Sequence, residues 1–262
     1  MLNFCSLYSG SSGNCLFVES ENTKLLIDAG VSLKKIEKGL EELNIPSDSL
    51  DGILVTHEHS DHIQSLGNLS KKFNLPVFAN SETFDAMPKQ TDKISEENKK
   101  TIKINSKFCI HDIEINSFSI PHDAVNPCGF TLCCDGKKIS IATDMGHLTK
   151  DIVKHLEGSD FILIESNYDP ETLKFSKYPF YLKRRIAGPN GHLANEDAGK
   201  LINYLMHDNL KTAMLGHLSE NSNFPELAYQ TVANEILVAG SNINKISLSV
   251  ASRKTIGNLI HI

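Results

Sequence analysis

One segment, Thr56-His57-Glu58-His59-Ser60-Asp61-His62, limits what this chain can fold into more than any other part of its sequence. It follows the apolar run Gly52 to Val55, which has the composition of a buried strand. Imidazoles and a carboxylate gathered at a strand end can share one small volume only around a cation. Neutral imidazole nitrogens suit Zn²⁺ and similar divalent ions, and a carboxylate adds affinity for a harder ion. The segment therefore predicts a metal site, in preference to a surface loop that is rich in His and Asp by chance.

The length and composition indicate one globular domain over residues 1–262. No apolar run approaches the ~20 residues of a membrane-spanning helix, and the N-terminus lacks the features of a secretory signal. A cytoplasmic protein without membrane contact is therefore expected. The net charge of −6 argues against a broad DNA-coating surface but leaves room for a local basic groove. The six cysteines have neither disulfide-framework nor zinc-finger spacing, so reduced and mostly packed thiols are expected.

The rest of the chain alternates strand and helix signals. Short apolar runs predict buried strands at 24–27, 52–55, 76–78, 129–133, 138–142, 161–164, 212–215 and 246–250. Helical spacing of apolar residues predicts amphipathic helices at 33–43, 64–73, 148–156, 196–206 and 225–238. The polar segment from Met87 to Lys100 is predicted to be an exposed excursion. These elements indicate a layered α/β fold, although periodicity alone does not choose among such folds.

The choice comes from a resemblance. The His- and Asp-rich segment matches the HxHxDH signature of the metallo-β-lactamase superfamily, and further elements of that pattern follow in order. Asp28 in LLIDAG resembles the family's early structural aspartate, and His122 in SIPHDA its third-motif histidine. Asp144 in IATDMG resembles the bridging aspartate, and His217 in MLGHLS the final histidine. The resemblance, from about residue 2 to about residue 250, implies a four-layer αββα sandwich with the site along one edge.

The same resemblance implies ligands for two divalent ions, which could be Zn, Mn or Fe. The ligands expected for one ion are His57, His59 and His122. Those expected for the other are Asp61, His62 and His217, with Asp144 bridging the two ions. Two such ions can activate a water, hold a phosphate and stabilise the attacking and leaving oxygens. Structural zinc sites are usually thiolate-rich, whereas this set has no cysteine. A catalytic role is therefore expected, and Asp61 is counted among the catalytic residues.

His192 and Glu165 form a second expectation. His192, in AGPNGHLANEDA, resembles an HLSN-type histidine that lies outside the metal ligands and contacts the scissile phosphate or assists the leaving group. Glu165, in LIESNYD, resembles the acidic residue that pairs with such a histidine, and the pair could act as a general acid. Ala194 stands where the family pattern commonly has Ser, so a structural role for His192 at a helix start is the alternative.

Taken together, the motifs SLYSGSSGNC, HEHSDH, ESNYD, GHLAN and LGHLSENSN are similar to the YycJ/WalJ (VicX-like) branch, which is linked to nuclease activity. Ser11, Ser12 and Asn14 are candidate phosphate contacts, because glycines allow close backbone approach and polar side chains can donate to oxygens; a plain hairpin connection explains them nearly as well. Arg184 and Arg185 are candidate contacts to the phosphate backbone of a nucleic acid. The alternative is that they belong to a solvated helix face.

Two insertions of larger relatives have no room here. Asp144 and His192 are too close for a β-CASP domain, and His122 and Asp144 are too close for an exosite arm. The resemblance thus implies a bare catalytic core acting on a nucleic-acid end, by expectation a 5′-to-3′ exonuclease on DNA. Two alternatives stay open: a hydrolase of a small phosphodiester or thioester, and a non-enzymatic accessory protein of a two-component signalling pathway. The native metal, the strand preference and the oligomeric state are not given by the sequence.

Overall fold

Two seven-stranded β-sheets form the centre of the structure, a computed structural model that describes residues 1–262. In chain order the strands are β1 (Asn3–Tyr8), β2 (Cys15–Glu19), β3 (Lys24–Ile27), β4 (Gly52–Leu54), β5 (Val77–Ala79), β6 (Lys99–Thr101), β7 (Lys107–Ile110), β8 (Ile113–Ser119), β9 (Cys128–Cys134), β10 (Lys137–Ala142), β11 (Phe161–Glu165), β12 (Thr212–Gly216), β13 (Ser247–Val250) and β14 (Ile260–His261). The first sheet has the order β14-β1-β2-β3-β4-β5-β6 and the second the order β13-β12-β11-β10-β9-β8-β7.

Ten helices accompany the two sheets. They are α1 (Leu33–Glu42), α2 (Ser60–Ile63), α3 (Leu66–Phe73), α4 (Ser81–Ala86), α5 (Pro88–Thr91), α6 (Lys150–Leu156), α7 (Pro170–Phe175), α8 (Phe180–Ile186), α9 (Asn195–Leu205) and α10 (Pro225–Val238). Three of them, α4, α6 and α7, begin with a side-chain cap. Thr149 accepts a hydrogen bond from the Ile152 amide to begin α6, and Asp169 caps α7 through the Thr172 amide. No helix has the length and apolar character needed to span a membrane.

Three apolar clusters define the layers. Between the sheets, Phe4 packs on Phe161 with ring centroids 4.4 Å apart, within a cluster built from both sheets. A second cluster joins α1 and α3 to the first sheet, and a third joins α6, α9 and α10 to the second sheet. Full burial of a large apolar side chain contributes about 1.5–3 kcal/mol relative to exposure, so these clusters hold the layers together. The expected four-layer αββα sandwich is confirmed.

The strand directions bring the candidate site together. Strands β3 and β4 are parallel, as are β10, β11 and β12, and β8 points the same way because β9 is antiparallel to both of its neighbours. The carboxyl ends of these strands lead into loops at one edge of the sandwich. Those loops carry the sequence-predicted residues Asp28, His57, His122, Asp144 and His217, and Glu165 is the last residue of β11. The topology therefore gathers side chains from distant parts of the chain.

All eight predicted strands and all five predicted helices are present, with ends shifted by a few residues at most. The helix predicted at 64–73 is α3, which begins two residues later, and a separate short helix, α2, precedes it. The prediction of an exposed excursion from Met87 to Lys100 is wrong in part. Met87 and Ile94 are buried, and the segment contains α5 and leads into the edge strand β6. These two widely spaced apolar residues anchor it to the first sheet's outer layer.

Candidate metal centre

Three histidines converge on one point at the edge of the sandwich. His57 and His59 lie in the loop between β4 and α2, and His122 follows β8. One ring nitrogen from each lies within 4.8 Å of the others. His57 and His122 are buried, so their imidazoles face each other and not the solvent. This group is the first of the two sets that the sequence predicts as ligands.

A second group forms beside it from Asp61, His62 and His217. The Oδ2 atom of Asp61 lies 3.4 Å from Nε2 of His217 and 3.6 Å from Nε2 of His62. Asp61 and His62 come from the short helix α2, and His217 follows β12 in the other sheet. The ligand atoms of this second set also lie within 4.8 Å of one another. The two sheets thus contribute jointly to it.

Asp144 lies between the two groups. Its Oδ2 atom is 3.3 Å from Nε2 of His62, in the second group. Its Oδ1 atom is 3.6 Å from Nε2 of His122, in the first group, and 3.5 Å from Nε2 of His217. A carboxylate in this position can offer one oxygen to each of two cations.

Second partners orient the histidine rings. Nδ1 of His62 donates to Oδ2 of Asp28 at 2.7 Å, and Asp28 also accepts from the backbone amide and the hydroxyl of Thr56. Nδ1 of His122 donates to the carbonyl of Gly191 at 3.0 Å. Such bonds fix the tautomer that leaves Nε2 with a free lone pair, and they raise the basicity of a ligand. Both rings therefore direct Nε2 towards the centre.

Glu165 supports two histidines at once. Its Oε1 atom lies 2.7 Å from Nδ1 of His192 and 3.0 Å from Nδ1 of His217. Its Oε2 atom accepts from the backbone amides of Met145 at 2.6 Å and Leu193 at 3.1 Å. The carboxylate is fully buried and has hydrogen bonds on both oxygens. It links a candidate metal ligand to the histidine that is expected to lie outside the metal ligands.

The pKa values of two buried histidines are shifted by burial and by neighbouring charges. Burial, together with the neighbouring imidazoles, holds the pKa of His57 well below its usual value, so this ring is a neutral ligand. Burial also acts to lower the pKa of His62, but the carboxylates of Asp144 and Asp28 outweigh it and raise the pKa to about 9. The neighbouring carboxylates stabilise a proton on His62. A divalent ion can take the place of this proton, because a metal displaces protons from its ligands when it binds.

Two buried polar atoms without hydrogen-bond partners show whether a metal fits the site. Nε2 of His57 and Oδ2 of Asp144 are buried and have no hydrogen-bond partner. A buried polar atom without a partner is unfavourable by about 1–3 kcal/mol, and the exceptions in native proteins require an explanation. A divalent ion at this point supplies an explanation, since nitrogen and carboxylate oxygen are its ordinary ligands and His57 and Asp144 share one group of possible ligand atoms with His62. The residues present therefore fit a divalent metal site.

Backbone strain marks the same edge. Asp28, Asp144 and His217 have φ values of +63°, +60° and +55°. This left-handed region is uncommon for residues other than glycine, and such conformations persist where the surrounding structure holds them in place. Each of the three residues follows the end of a parallel strand, and its reversed backbone turns the side chain towards the neighbouring loops.

The expected substrate contacts differ in their surroundings. Ser11 and Ser12 are exposed in the loop after β1. Asn14 is buried; its amide bonds to Gly10 and lies 3.1 Å from Nε2 of His62, so it braces the site. Arg184 and Arg185 lie on α8. Arg185 is paired with Asp123, which is the neighbour of His122, through a bond of 2.9 Å. Substrate contact by these residues stays a prediction.

Sequence reasoning missed several supporting residues. Thr56 opens the HEHSDH segment, and its hydroxyl lies 3.0 Å from Nδ1 of His57. Asn167, in the ESNYD motif, donates to the carbonyl of His217 at 2.7 Å. Both residues were inside recognised motifs, so their position next to a ligand was an available signal. The carbonyl of Gly191 had none, because any residue supplies a carbonyl.

Imidazoles and carboxylates clustered at the strand ends of an αββα sandwich define a metallo-hydrolase, and divalent metal binding follows from that donor set. Residues 23–217 match the family described as the Beta-lactamase superfamily domain. The chain belongs to this superfamily.

Relatives and solved structures agree with that assignment. The chain is 39% identical over 235 residues to exodeoxyribonuclease WalJ of Streptococcus pneumoniae, covering 89% of this chain and 87% of the relative. It is 36% identical over 244 residues to exodeoxyribonuclease YycJ of Bacillus anthracis, covering 93% and 92%. The crystal structure of Zn²⁺-bound PqqB from Methylobacterium extorquens shares the fold, with a TM-score of 0.72, 15% identity, and coverage of 98% of this chain and 99% of that one. The expected resemblance to the YycJ/WalJ branch is confirmed.

Proposed function

We propose that this protein is a metal-dependent exodeoxyribonuclease that hydrolyses phosphodiester bonds from the 5′ end of DNA. The observation that carries the proposal is the pairing of two three-ligand groups across Asp144 with the Glu165–His192 pair beside them. Relatives that are 36–39% identical over about nine tenths of the chain carry the name exodeoxyribonuclease, which supports a DNA substrate. They favour this reading over a small-molecule hydrolase. A link to a two-component pathway stays a prediction.

In this proposal two divalent ions occupy the site. His57, His59 and His122 would hold one, and Asp61, His62 and His217 would hold the other, with Asp144 between the two groups. When bound, such ions supply an activated water at neutral pH and neutralise charge on the phosphate. The ligand types accept Zn²⁺, Mn²⁺ or Fe²⁺, so cellular availability decides which ion is native.

His192 acts on the leaving oxygen. Its Nδ1 is bonded to Glu165, which leaves Nε2 as the ring nitrogen that can reach substrate. The buried carboxylate orients the ring, and an imidazole held in this way can act as a general acid that donates an Nε2 proton to the oxygen that leaves phosphorus. Burial acts to raise the pKa of Glu165, but the adjacent His192 and His217 hold it well below its usual value. Glu165 therefore remains an anion and a hydrogen-bond acceptor throughout.

Duplex DNA labelled separately at its 5′ and 3′ ends tests the proposal. The protein is stripped of metal and reloaded in parallel with Zn²⁺, Mn²⁺ or Fe²⁺. We expect a labelled mononucleotide as the first product from the 5′-labelled strand, whereas the 3′ label stays in a ladder of shortening fragments. Asp144→Ala serves as the inactive control. Hydrolysis of a small chromogenic phosphodiester together with unshortened DNA under every metal would contradict the proposal and favour the small-molecule enzyme.

A further inference from the structure

The segment that leads into His192 carries an unusual surface. Phe175, Phe180 and Tyr181 are the three most exposed aromatic side chains of the protein, at 78%, 76% and 74%. Exposed aromatic groups close together are uncommon on monomeric proteins and mark interaction sites. All three lie on or next to the helix pair α7–α8. We name six aromatic and basic residues of this pair the aromatic–basic patch: Lys174, Phe175, Phe180, Tyr181, Lys183 and Arg184. All are exposed except Lys183, which is half-buried.

The patch is positive in an acidic protein. Residues 170–191 contain five basic side chains and one acidic one, a net charge of +4, whereas the whole chain has −6. Basic and aromatic side chains also lie close together. The Lys174 ammonium is 5.3 Å from the centroid of the Phe175 ring, and the Arg184 guanidinium is 6.0 Å from that of Phe180. A polyanion with flat apolar groups is the partner that this combination fits.

A groove runs along the patch. It encloses about 480 Å³ between α7 and α8, with Leu173 and Phe180 among its apolar walls and Lys174, Lys183 and Arg184 among its charged ones. Beneath it, Leu173 and Ile186 pack with Tyr168 and Ala194 in a small core of their own. The exposed rings are therefore carried on a packed support.

Direct bonds tie the C-terminal end of α8 and the loop after it to the candidate metal centre. The His192 amide donates to the carbonyl of Ile186, the last residue of α8, at 2.8 Å. Gly191, which follows α8, accepts from His122, and Arg185 is paired with Asp123 next to the same histidine. The helix that carries most of the patch is therefore anchored beside the candidate site.

We propose that the aromatic–basic patch binds the unpaired part of a DNA strand and guides it to the metal centre. Bases stack on Phe175, Phe180 and Tyr181, while nearby cations contact the phosphates. Stacking on several side chains requires successive exposed base faces, which an unpaired strand offers, whereas a duplex exposes only the face of its terminal pair. The substrate class is therefore an end with a single-stranded segment. This inference rests on the proposed function and specifies its substrate.

Binding of a thymidylate decamer with phosphorothioate linkages, which resist hydrolysis, tests the patch on the metal-loaded protein. The affinity is measured by fluorescence anisotropy for wild type and for Phe180→Ala/Tyr181→Ala. The matched control is Tyr204→Ala. Tyr204 is also exposed, at 66%, but it lies at the C-terminal end of α9. Its hydroxyl donates to Glu157, which precedes β11, whereas Glu165 of the site ends that strand. Melting temperature and metal content establish that each variant is folded.

Loss of one stacked base weakens binding on the order of 10-fold, within the range that base–aromatic stacking gives. We expect at least this loss in the double variant, less than about 2-fold change in Tyr204→Ala, and weaker binding of a blunt duplex by wild type. Unchanged affinity in the double variant overturns the inference, as does equal affinity for blunt duplex. So does a wild-type dimer that the double variant converts to monomers in sedimentation, since the patch then binds a second copy.

The inference and the proposed function fail in different ways. If the decamer binds through the patch but labelled duplex with a single-stranded 5′ end is never shortened, the exonuclease proposal fails and the patch stands. If DNA is degraded from its 5′ end equally well by wild type and the double variant, the exonuclease proposal stands and the patch fails.

Discussion

Replacement of Glu165 by glutamine tests the view that one buried carboxylate orients both His217 and His192. Glutamine has the same shape, but one of its two terminal positions is an NH₂ donor. All four partners of Glu165 donate: two imidazole Nδ1 groups on Oε1 and the Met145 and Leu193 amides on Oε2. Whichever way the amide turns, two donors face a donor.

The size of the effect follows from those contacts. A hydrogen bond to a charged group contributes about 1.5–3 kcal/mol, so two lost bonds destabilise the protein by about 3–6 kcal/mol. Folded domains are stable by about 5–15 kcal/mol, so Glu165→Gln should still fold, with a melting temperature lower by on the order of 10 °C. Loss of a group that orients a metal ligand reduces metal affinity by about 10- to 100-fold. Loss of general-acid support at His192 reduces the rate by about 10²–10⁴-fold.

Metal content by elemental analysis, thermal melting and the hydrolysis rate at saturating metal separate these effects. Glu114→Gln is the control, since Glu114 is exposed and paired only with Lys107. We expect Glu165→Gln to melt earlier, to need more metal for saturation and to stay slow when saturated. A variant that matches wild type in all three measurements would refute the assignment of Glu165 as the shared support.

Other substitutions give distinct outcomes. Asp61→Ala should abolish hydrolysis and lower the metal content measured by elemental analysis. The circular dichroism spectrum should change little, because Asp61 lies at the site edge and outside the apolar clusters. Full metal retention would count against Asp61 as a ligand. His192→Ala should keep its metal yet lose about 10²–10⁴-fold in rate, and metal loss would identify His192 as a ligand. Asp28→Asn keeps a residue that tolerates a φ of +63° but removes the carboxylate beside His62, so metal affinity in a competition titration should fall about 10- to 100-fold; unchanged affinity would contradict that support.

Much of the site was predictable because its residues stand in motifs. The HEHSDH motif places its candidate ligands within six residues, soon after β4. The topology of parallel strands then brings His122, Asp144 and His217 to the same edge. The pairing of Glu165 with His192 was also expected, and the structure brings their side chains to 2.7 Å. The additional bond from Glu165 to His217 was not, since it depends on the register of β11 against β12.

The missed elements lacked a clear periodic signal or had one that was overlooked. In β8 the residues Ile113, Ile115 and Ser117 are buried in alternation, a strand pattern that the sequence contains. In α8 the sequence FYLKRRI exposes its aromatic residues, the reverse of the usual helical pattern, so no apolar face predicts a helix there. The edge strand β6 is KKT, and its pairing with β5 alone makes it a strand.

A crystal structure of the metal-loaded protein, with anomalous data collected at the absorption edge of the bound metal, tests the central claim most directly. We predict two anomalous peaks about 3.5–4 Å apart, the usual separation in two-metal sites. One should lie among His57, His59 and His122, the other among Asp61, His62 and His217, with Asp144 contacting both and His192 contacting neither. A single peak, or a peak ligated by His192, would contradict the account.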